Sequence, residues 1–309
     1  MARMLSRSAA TALVGVAFAG LAACSQKAPP PAAAPAPPPA ALTTELVRGA
    51  TISGLFEQPV TFANGAWEGQ PYEPGAAARP TALIWDSAIV LGDFDAAPGQ
   101  EAAVLVSQNT GGSGEFVKLA IVGLRDGKAV SLGTADVGDR TRLRSVWAER
   151  NRVVMDVIEA GPNDAACCPT QLARKAYALE GGVLKLLASD AVGTLNIGTT
   201  SATEWVLVQL DGQPVTGDTA PTLRVEIVKV AGFAGCNRYN GPLKETAPGE
   251  ISVGPLAATR KACPPEQMDL ETRFLEQLGA ARQYTFVAGQ LALTAVDKDG
   301  NAKTLLFRK

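Results

Sequence analysis

Five cysteines are the residues of this chain that could carry specific chemistry: Cys24, Cys167, Cys168, Cys236 and Cys263. A cysteine can oxidise to a disulfide, ligate a soft metal ion or, as a thiolate, act as a nucleophile. The chain has no histidine, which excludes Ser-His-Asp and Cys-His catalysis and most zinc sites. It also removes the usual general base near neutral pH. The sequence around each cysteine therefore decides its role.

The first cysteine follows a typical export signal. Residues 1–23 begin with Arg3 and Arg7 and continue with an apolar run, residues 9–23, that ends in small side chains. This run is too short and too rich in alanine to be a good membrane span. A basic start, a short apolar middle and a small-residue end predict a secretory signal peptide.

The end of this segment, Leu21-Ala22-Ala23-Cys24, resembles the bacterial lipobox. In that motif the signal peptide is cut before the cysteine, which then carries the lipid. The resemblance implies that Cys24 is acylated and that a bilayer is a partner, because two or three acyl chains bind a membrane stably. Ser25 stands where aspartate would retain a lipoprotein in the inner membrane, so we expect an outer-membrane anchor facing the periplasm.

Residues 24–44 are predicted to be a linker. From residue 27 to residue 40 the chain is almost entirely alanine and proline, a composition that cannot bury a core and favours polyproline II. At about 3.1 Å per residue, this tract would extend over about 40 Å. We expect it to hold the folded part away from the membrane.

Residues 45–190 are predicted to form a β-rich domain of unknown function. Segments rich in Val, Ile and Leu alternate with turn signals such as TGGSGE and RDGK, and no long helical pattern intervenes. These segments are ALIWDSAIVLGDF, EAAVLVS, EFVKLAIVGL, RLRSVWAE, RVVMDVIEA and RKAYALEGGVLKLL. The motifs GDFDAAPGQEAAVLV and GPNDAACCPT are similar to those of a group of uncharacterised secreted bacterial domains. That resemblance implies no activity.

Residues 203–309 combine strands with one helix. The segment TLRVEIVKV alternates, and we expect Leu223, Val225 and Ile227 to share a buried strand face. The segment PPEQMDLETRFLEQLGAA has apolar residues at helical spacing and prolines suited to a helix start. The predicted fold class is therefore α+β, with a β-rich N-terminal domain followed by antiparallel strands and one helix.

Five motifs in this part resemble the META domain, the family of the bacterial heat-shock protein HslJ. They are Trp205-Val206-Leu207, GCNRYNG at 235–241, TRKAC at 259–263, the helix segment 271–275, and Leu305-Leu306-Phe307. Their order, spacing and residue types fit the family over the whole of 203–309. The family has no catalytic residues that could be transferred to this chain.

The GCNRYNG loop allows two interpretations. It can be a structured connection between strands, in which glycines permit a tight turn and asparagines bond to the backbone. Alternatively it is part of a polar binding site, for which the candidate residues are Asn237, Arg238, Tyr239 and Arg260.

Four cysteines remain after Cys24, and in an oxidising compartment they allow three pairings. We favour a disulfide between Cys236 and Cys263, since both lie in the META-like part. Such a bond would stabilise the fold by about 3 kcal/mol. For the adjacent Cys167 and Cys168, a strained vicinal disulfide, free thiols and pairing with another chain all remain open.

The lipobox and the META resemblance together imply a non-enzymatic lipoprotein in heat or envelope stress tolerance, including resistance to antibiotics such as novobiocin. The alternative is a periplasmic binding module that captures a partner protein or an envelope glycan. The net charge of -2 argues against a nucleic-acid partner. We expect no cofactor and no metal. The one calcium-like loop has Asp93 and Asp95, but Ala97 and Pro98 stand at the next positions of the calcium pattern.

Overall fold

The computed structural model of the protein describes residues 41–95, 97–165 and 167–309, which form three β-sheets. The predicted signal peptide, Cys24 and the linker up to residue 40 lie outside the described residues. In the described part, no helix is both long enough and apolar enough to cross a membrane.

The first sheet has eight strands in the order β2-β1-β8-β7-β6-β4-β3, with β5 paired to β6. Its strands are β1 (Thr51–Ile52), β2 (Val60–Thr61), β3 (Ala66–Glu68), β4 (Thr81–Ile84), β5 (Val90–Gly92), β6 (Glu101–Asn109), β7 (Phe116–Arg125) and β8 (Lys128–Asp139). Neighbours run antiparallel except β1 and β8. A short helix, α1 (Thr44–Arg48), precedes them.

The second sheet has four antiparallel strands in chain order. They are β9 (Arg142–Glu149), β10 (Arg152–Glu159), β11 (Gln171–Glu180) and β12 (Val183–Thr194). This sheet packs on one face of the first, where Leu119 and Ile121 meet Met155 and Tyr177 in a common core. The opposite face of the first sheet contributes its apolar side chains to a second core. Its central strands are therefore buried on both faces, which is why EAAVLVS and KLAIVGL are continuous apolar runs.

The third sheet contains the C-terminal strands and closes on itself, because β13 pairs with both β15 and the last strand, β22. The strands are β13 (Glu204–Leu210), β14 (Gln213–Pro214), β15 (Thr222–Glu226), β16 (Lys229–Phe233), β17 (Arg238–Ala247), β18 (Glu250–Val253), β19 (Ala257–Ala258), β20 (Ala281–Val287), β21 (Gln290–Val296) and β22 (Ala302–Arg308). The apolar core of this part includes Trp205, Leu207 and Phe307.

The predicted helix of the C-terminal part is confirmed as α2 (Pro265–Gly279). Pro264 occupies the N-cap position without a side-chain cap bond, and Pro265 occupies the first turn, where a missing backbone N–H costs nothing. Phe274 and Leu278 lie one turn apart and are both buried in the core of the third sheet.

The predicted α+β class is wrong. Among the described residues there are two α-helices, α1 and α2, and almost all other regular structure is strand, so the fold is β-rich. The single amphipathic helix was a strong local signal, but it packs against a closed sheet instead of building a helical layer.

The expectation that Ile227 lies on a buried face is also wrong. The segment TLRVEIVKV is a hairpin, in which β15 ends at Glu226 and β16 begins at Lys229. Ile227 is at the turn and is 78% exposed, whereas Leu223 and Val225 are buried as predicted.

Candidate functional site

The GCNRYNG motif covers the connection from β16 to β17 and the first residues of β17, and a disulfide ties it to the segment just before α2. Cys236 and Cys263 form this bond with their Cα atoms 6.0 Å apart, as the sequence analysis favoured. Gly235 has a φ of 106°, a backbone conformation that glycine adopts without strain. Asn237, which follows Cys236, lies next to the helix, where its N–H bonds to Glu271.

Asn237 is the centre of this loop and is only 3% exposed. Its backbone N–H donates to Glu271 Oε2 at 2.6 Å, and its Nδ2 donates to Glu271 Oε1 at 3.0 Å. The same Nδ2 also donates to the carbonyl of Lys261 at 3.1 Å. Its Oδ1 accepts from Thr259 Oγ1 at 2.8 Å and from the Lys261 N–H at 2.7 Å. Asn237 thus joins α2 to the segment before it, and its polar atoms are all engaged inside the protein.

Tyr239 is likewise part of the interior. Its hydroxyl donates to the carbonyl of Thr222 at 2.9 Å, and its ring lies edge-on to Phe274 with the centroids 5.5 Å apart. Burial raises the pKa of the Tyr239 hydroxyl above its usual value, so the group stays neutral. It cannot reach a ligand on the surface.

The two arginines of the predicted site remain on the surface. Arg238 and Arg260 are both exposed, and so is Lys261. Two hydrogen bonds hold Arg238 beside Thr259, the neighbour of Arg260. The Thr259 N–H donates to the Arg238 carbonyl at 3.0 Å, and the Arg238 N–H donates to Thr259 Oγ1 at 3.3 Å. None of the three cations has an ion-pair partner within the residues that the structure describes. We call Arg238, Arg260 and Lys261 the cationic rim.

The structure thus brings the four predicted residues into one region but divides them by role. Asn237 and Tyr239 organise the interior, while Arg238 and Arg260 face solvent. Sequence reasoning overlooked Glu271 as the partner of Asn237. The sequence contained one signal for this contact: Glu271 is an acidic residue on a helix that the disulfide holds next to the loop.

Cys167 and Cys168 lie at a second location, a cleft of about 220 Å³ between the second and third sheets. They form a vicinal disulfide, which is one of the three states that the sequence left open. Asp164 closes their loop, because it accepts hydrogen bonds from the backbone N–H groups of Gly161 and Thr170 at 2.8 and 2.6 Å. These bonds lower the pKa of Asp164 below its usual value.

The two disulfides differ in access, and we expect a matching difference in reduction. Cys167 and Cys168 are exposed, whereas Cys236 is 6% exposed. A thiolate must reach a sulfur to open a disulfide. Mild reductant on the folded protein, followed by an alkylating reagent, should therefore label the vicinal pair first. Peptide mass spectrometry would measure this order, and equal labelling of both pairs before unfolding would contradict it.

Comparison with known proteins supports the motif-based assignment of the C-terminal part. The family model of the META domain matches residues 198–309. A search of curated proteins finds no match. The NMR structure of a protein from Burkholderia xenovorans is similar, with 23% identity and a TM-score of 0.29, and the match covers 40% of this chain and 98% of that chain.

Proposed function

We propose that this chain, which carries a META domain at residues 198–309, is a lipoprotein that protects the bacterial envelope under stress. In this proposal Cys24 is acylated and anchors the protein to the outer membrane, with the folded part in the periplasm. The stress includes heat and antibiotics such as novobiocin, as the resemblance to the HslJ-like family implies. The META domain is the observation that carries the proposal.

We further propose that the protein acts without catalysis. The chain lacks histidine, and the interior polar groups of the META loop serve structural bonds. The amide of Asn237 bonds to Glu271, Thr259 and Lys261. The hydroxyl of Tyr239 bonds to a backbone carbonyl. These groups are therefore unsuited to proton transfer or to stabilising a reaction intermediate.

Survival of a deletion strain under heat and under novobiocin tests this proposal. The strain is complemented with the full chain, with Cys24→Ala or with Ser25→Asp, and membranes are fractionated in each case. We expect full rescue by the unaltered chain alone. Cys24→Ala should leave the protein unanchored, and Ser25→Asp should retain it in the inner membrane.

Two results would overturn separate parts of the proposal. Unchanged survival of the deletion strain under all conditions would remove the stress role. If the Cys24→Ala protein still fractionates with the outer membrane, the proposed lipid anchor would be contradicted, whatever the survival result.

The cationic rim supports one alternative, a periplasmic module that binds an acidic partner protein or envelope glycan. Arg238 and Arg260 are exposed and lack ion-pair partners within the described part of the chain. Co-sedimentation with purified peptidoglycan, which carries carboxylates, tests the glycan form of this idea. Arg238→Ala and Arg260→Ala should weaken binding, while Lys298→Ala, at an exposed cation outside the rim, should not. Equal binding by all variants would remove the rim as the site.

A further inference from the structure

Strand β12 is an open edge of the second sheet. It pairs with β11, and no other described strand pairs with its second edge. From Lys185 to Thr194 every residue is exposed. An edge strand presents a row of unpaired N–H and C=O groups, so a long exposed edge is a template for another strand.

The side chains of β12 are unusually apolar for such an exposed strand. Val183, Leu186, Leu187 and Val192 are each between 42% and 56% exposed. Natural edge strands are usually shielded by charges, and exposed apolar patches commonly mark interaction sites. The strand should therefore gain stability when another strand covers it.

The charged residues of β12 are placed so that two antiparallel copies of this strand would match each other. Lys185 and Asp190 are its only charged residues. Since Leu187 is an extra residue with no partner on β11, Ala188 lies midway between them along the ladder. We propose that β12 pairs antiparallel with β12 of a second copy of this chain, with the two-fold axis at Ala188. A two-fold interface uses the same surface on both copies.

This register places Lys185 opposite Asp190 of the second copy, and the same pair occurs a second time by symmetry. Directly opposed residues in an antiparallel pair interact most strongly, and opposite charges there are favourable. If the second copy slipped by one residue along β12, Lys185 would lie opposite Ser189 or Ala191, and both charge pairs would be lost.

The faces of the strand agree with this register. Lys185 pairs with Ala178 on β11, and Asp190 pairs with Arg174. Ala178 and Arg174 are four residues apart on one strand and so point to the same face. A register shift at Leu187 accommodates the odd spacing within β12. Lys185 and Asp190 therefore lie on one face, as opposed residues of a continuous two-copy sheet must.

Lys185 already contacts Glu180 within its own chain, with Nζ 3.0 Å from Oε2. Both side chains are about half exposed. Exposed ion pairs of this kind contribute little to stability. This contact therefore does not prevent Lys185 from pairing with the second copy.

Sedimentation velocity of the full chain carrying Cys24→Ala, over a micromolar concentration series, tests the pairing without an acyl chain. We expect a monomer–dimer equilibrium. Lys185→Asp and Asp190→Lys should each raise the dissociation constant by about tenfold, because each creates two like-charge contacts per dimer. The double variant Lys185→Asp/Asp190→Lys should restore dimerisation.

The control is Lys298→Asp, which makes the same charge change at a side chain that is 92% exposed. It should leave the dissociation constant unchanged. Circular dichroism would establish that each variant is folded. A monomer at every concentration would overturn self-pairing and leave the edge to a strand of another protein. Unaltered dimerisation of both single variants, or failure of the double variant to recover, would overturn the register.

Discussion

Replacing Phe274 with alanine should lower the free energy of unfolding by about 4 kcal/mol, because a large buried side chain would leave a cavity. Phe274 is fully buried. Its ring lies edge-on to Tyr239 and to Phe307, with centroid distances of 5.5 and 6.4 Å. Such aromatic pairs add stability beyond the burial of area. Phe274 therefore connects α2 to β17 and to the last strand, β22, at once.

Urea unfolding followed by tryptophan fluorescence would measure the effect of Phe274→Ala. Met268→Ala is a matched control, since Met268 is on the same helix but is exposed. It should change the free energy of unfolding by no more than about 0.5 kcal/mol. If both substitutions cost the same, α2 would not pack into the closed sheet as described.

Replacing Asn237 with alanine should lower the free energy of unfolding by about 3 kcal/mol, since bonds to a charged partner would be lost in a buried site. The side chain of Asn237 bonds to the Glu271 carboxylate, to Thr259 Oγ1 and to both backbone polar groups of Lys261. After the substitution, the partners of the amide would be left with fewer bonds in a site that water reaches poorly.

Asn240→Ala provides the control for this prediction. Asn240 belongs to the same GCNRYNG motif but is exposed on β17, and we expect a change of no more than about 0.5 kcal/mol. Thermal unfolding by circular dichroism would compare the two variants. A loss at Asn240 as large as that at Asn237 would contradict the assigned structural role of the amide.

Local sequence patterns were sufficient for several elements of the fold. The helix α2 followed from apolar spacing and from the prolines at its start. Strands β6, β7, β9, β10 and β11 followed from β-branched runs between turns. Strand β8 was missed, because its glycine and threonine content weakens the apolar pattern that marks its neighbours.

The residue types in the sequence identified the candidate loop, but they did not show which role each of its side chains plays. A motif brings Asn237, Arg238 and Tyr239 together without showing which side chains turn inward. That direction depends on Glu271 and Thr222, which reach the loop only after the chain has folded. Alternation along a strand shows that two faces differ, and packing against distant residues decides which face is buried.

The sequence by itself determined the lipobox-like motif at Cys24, the META motifs, the helix and the exclusion of histidine chemistry. These depend on residue type and on spacing within short segments. Only the tertiary structure decided the β-rich class, the closure of the third sheet by β13 and β22, and the open edge of β12. The physical reason is that pairing of β-strands joins residues far apart in the chain, and no local pattern encodes which strand becomes a neighbour and which remains an edge.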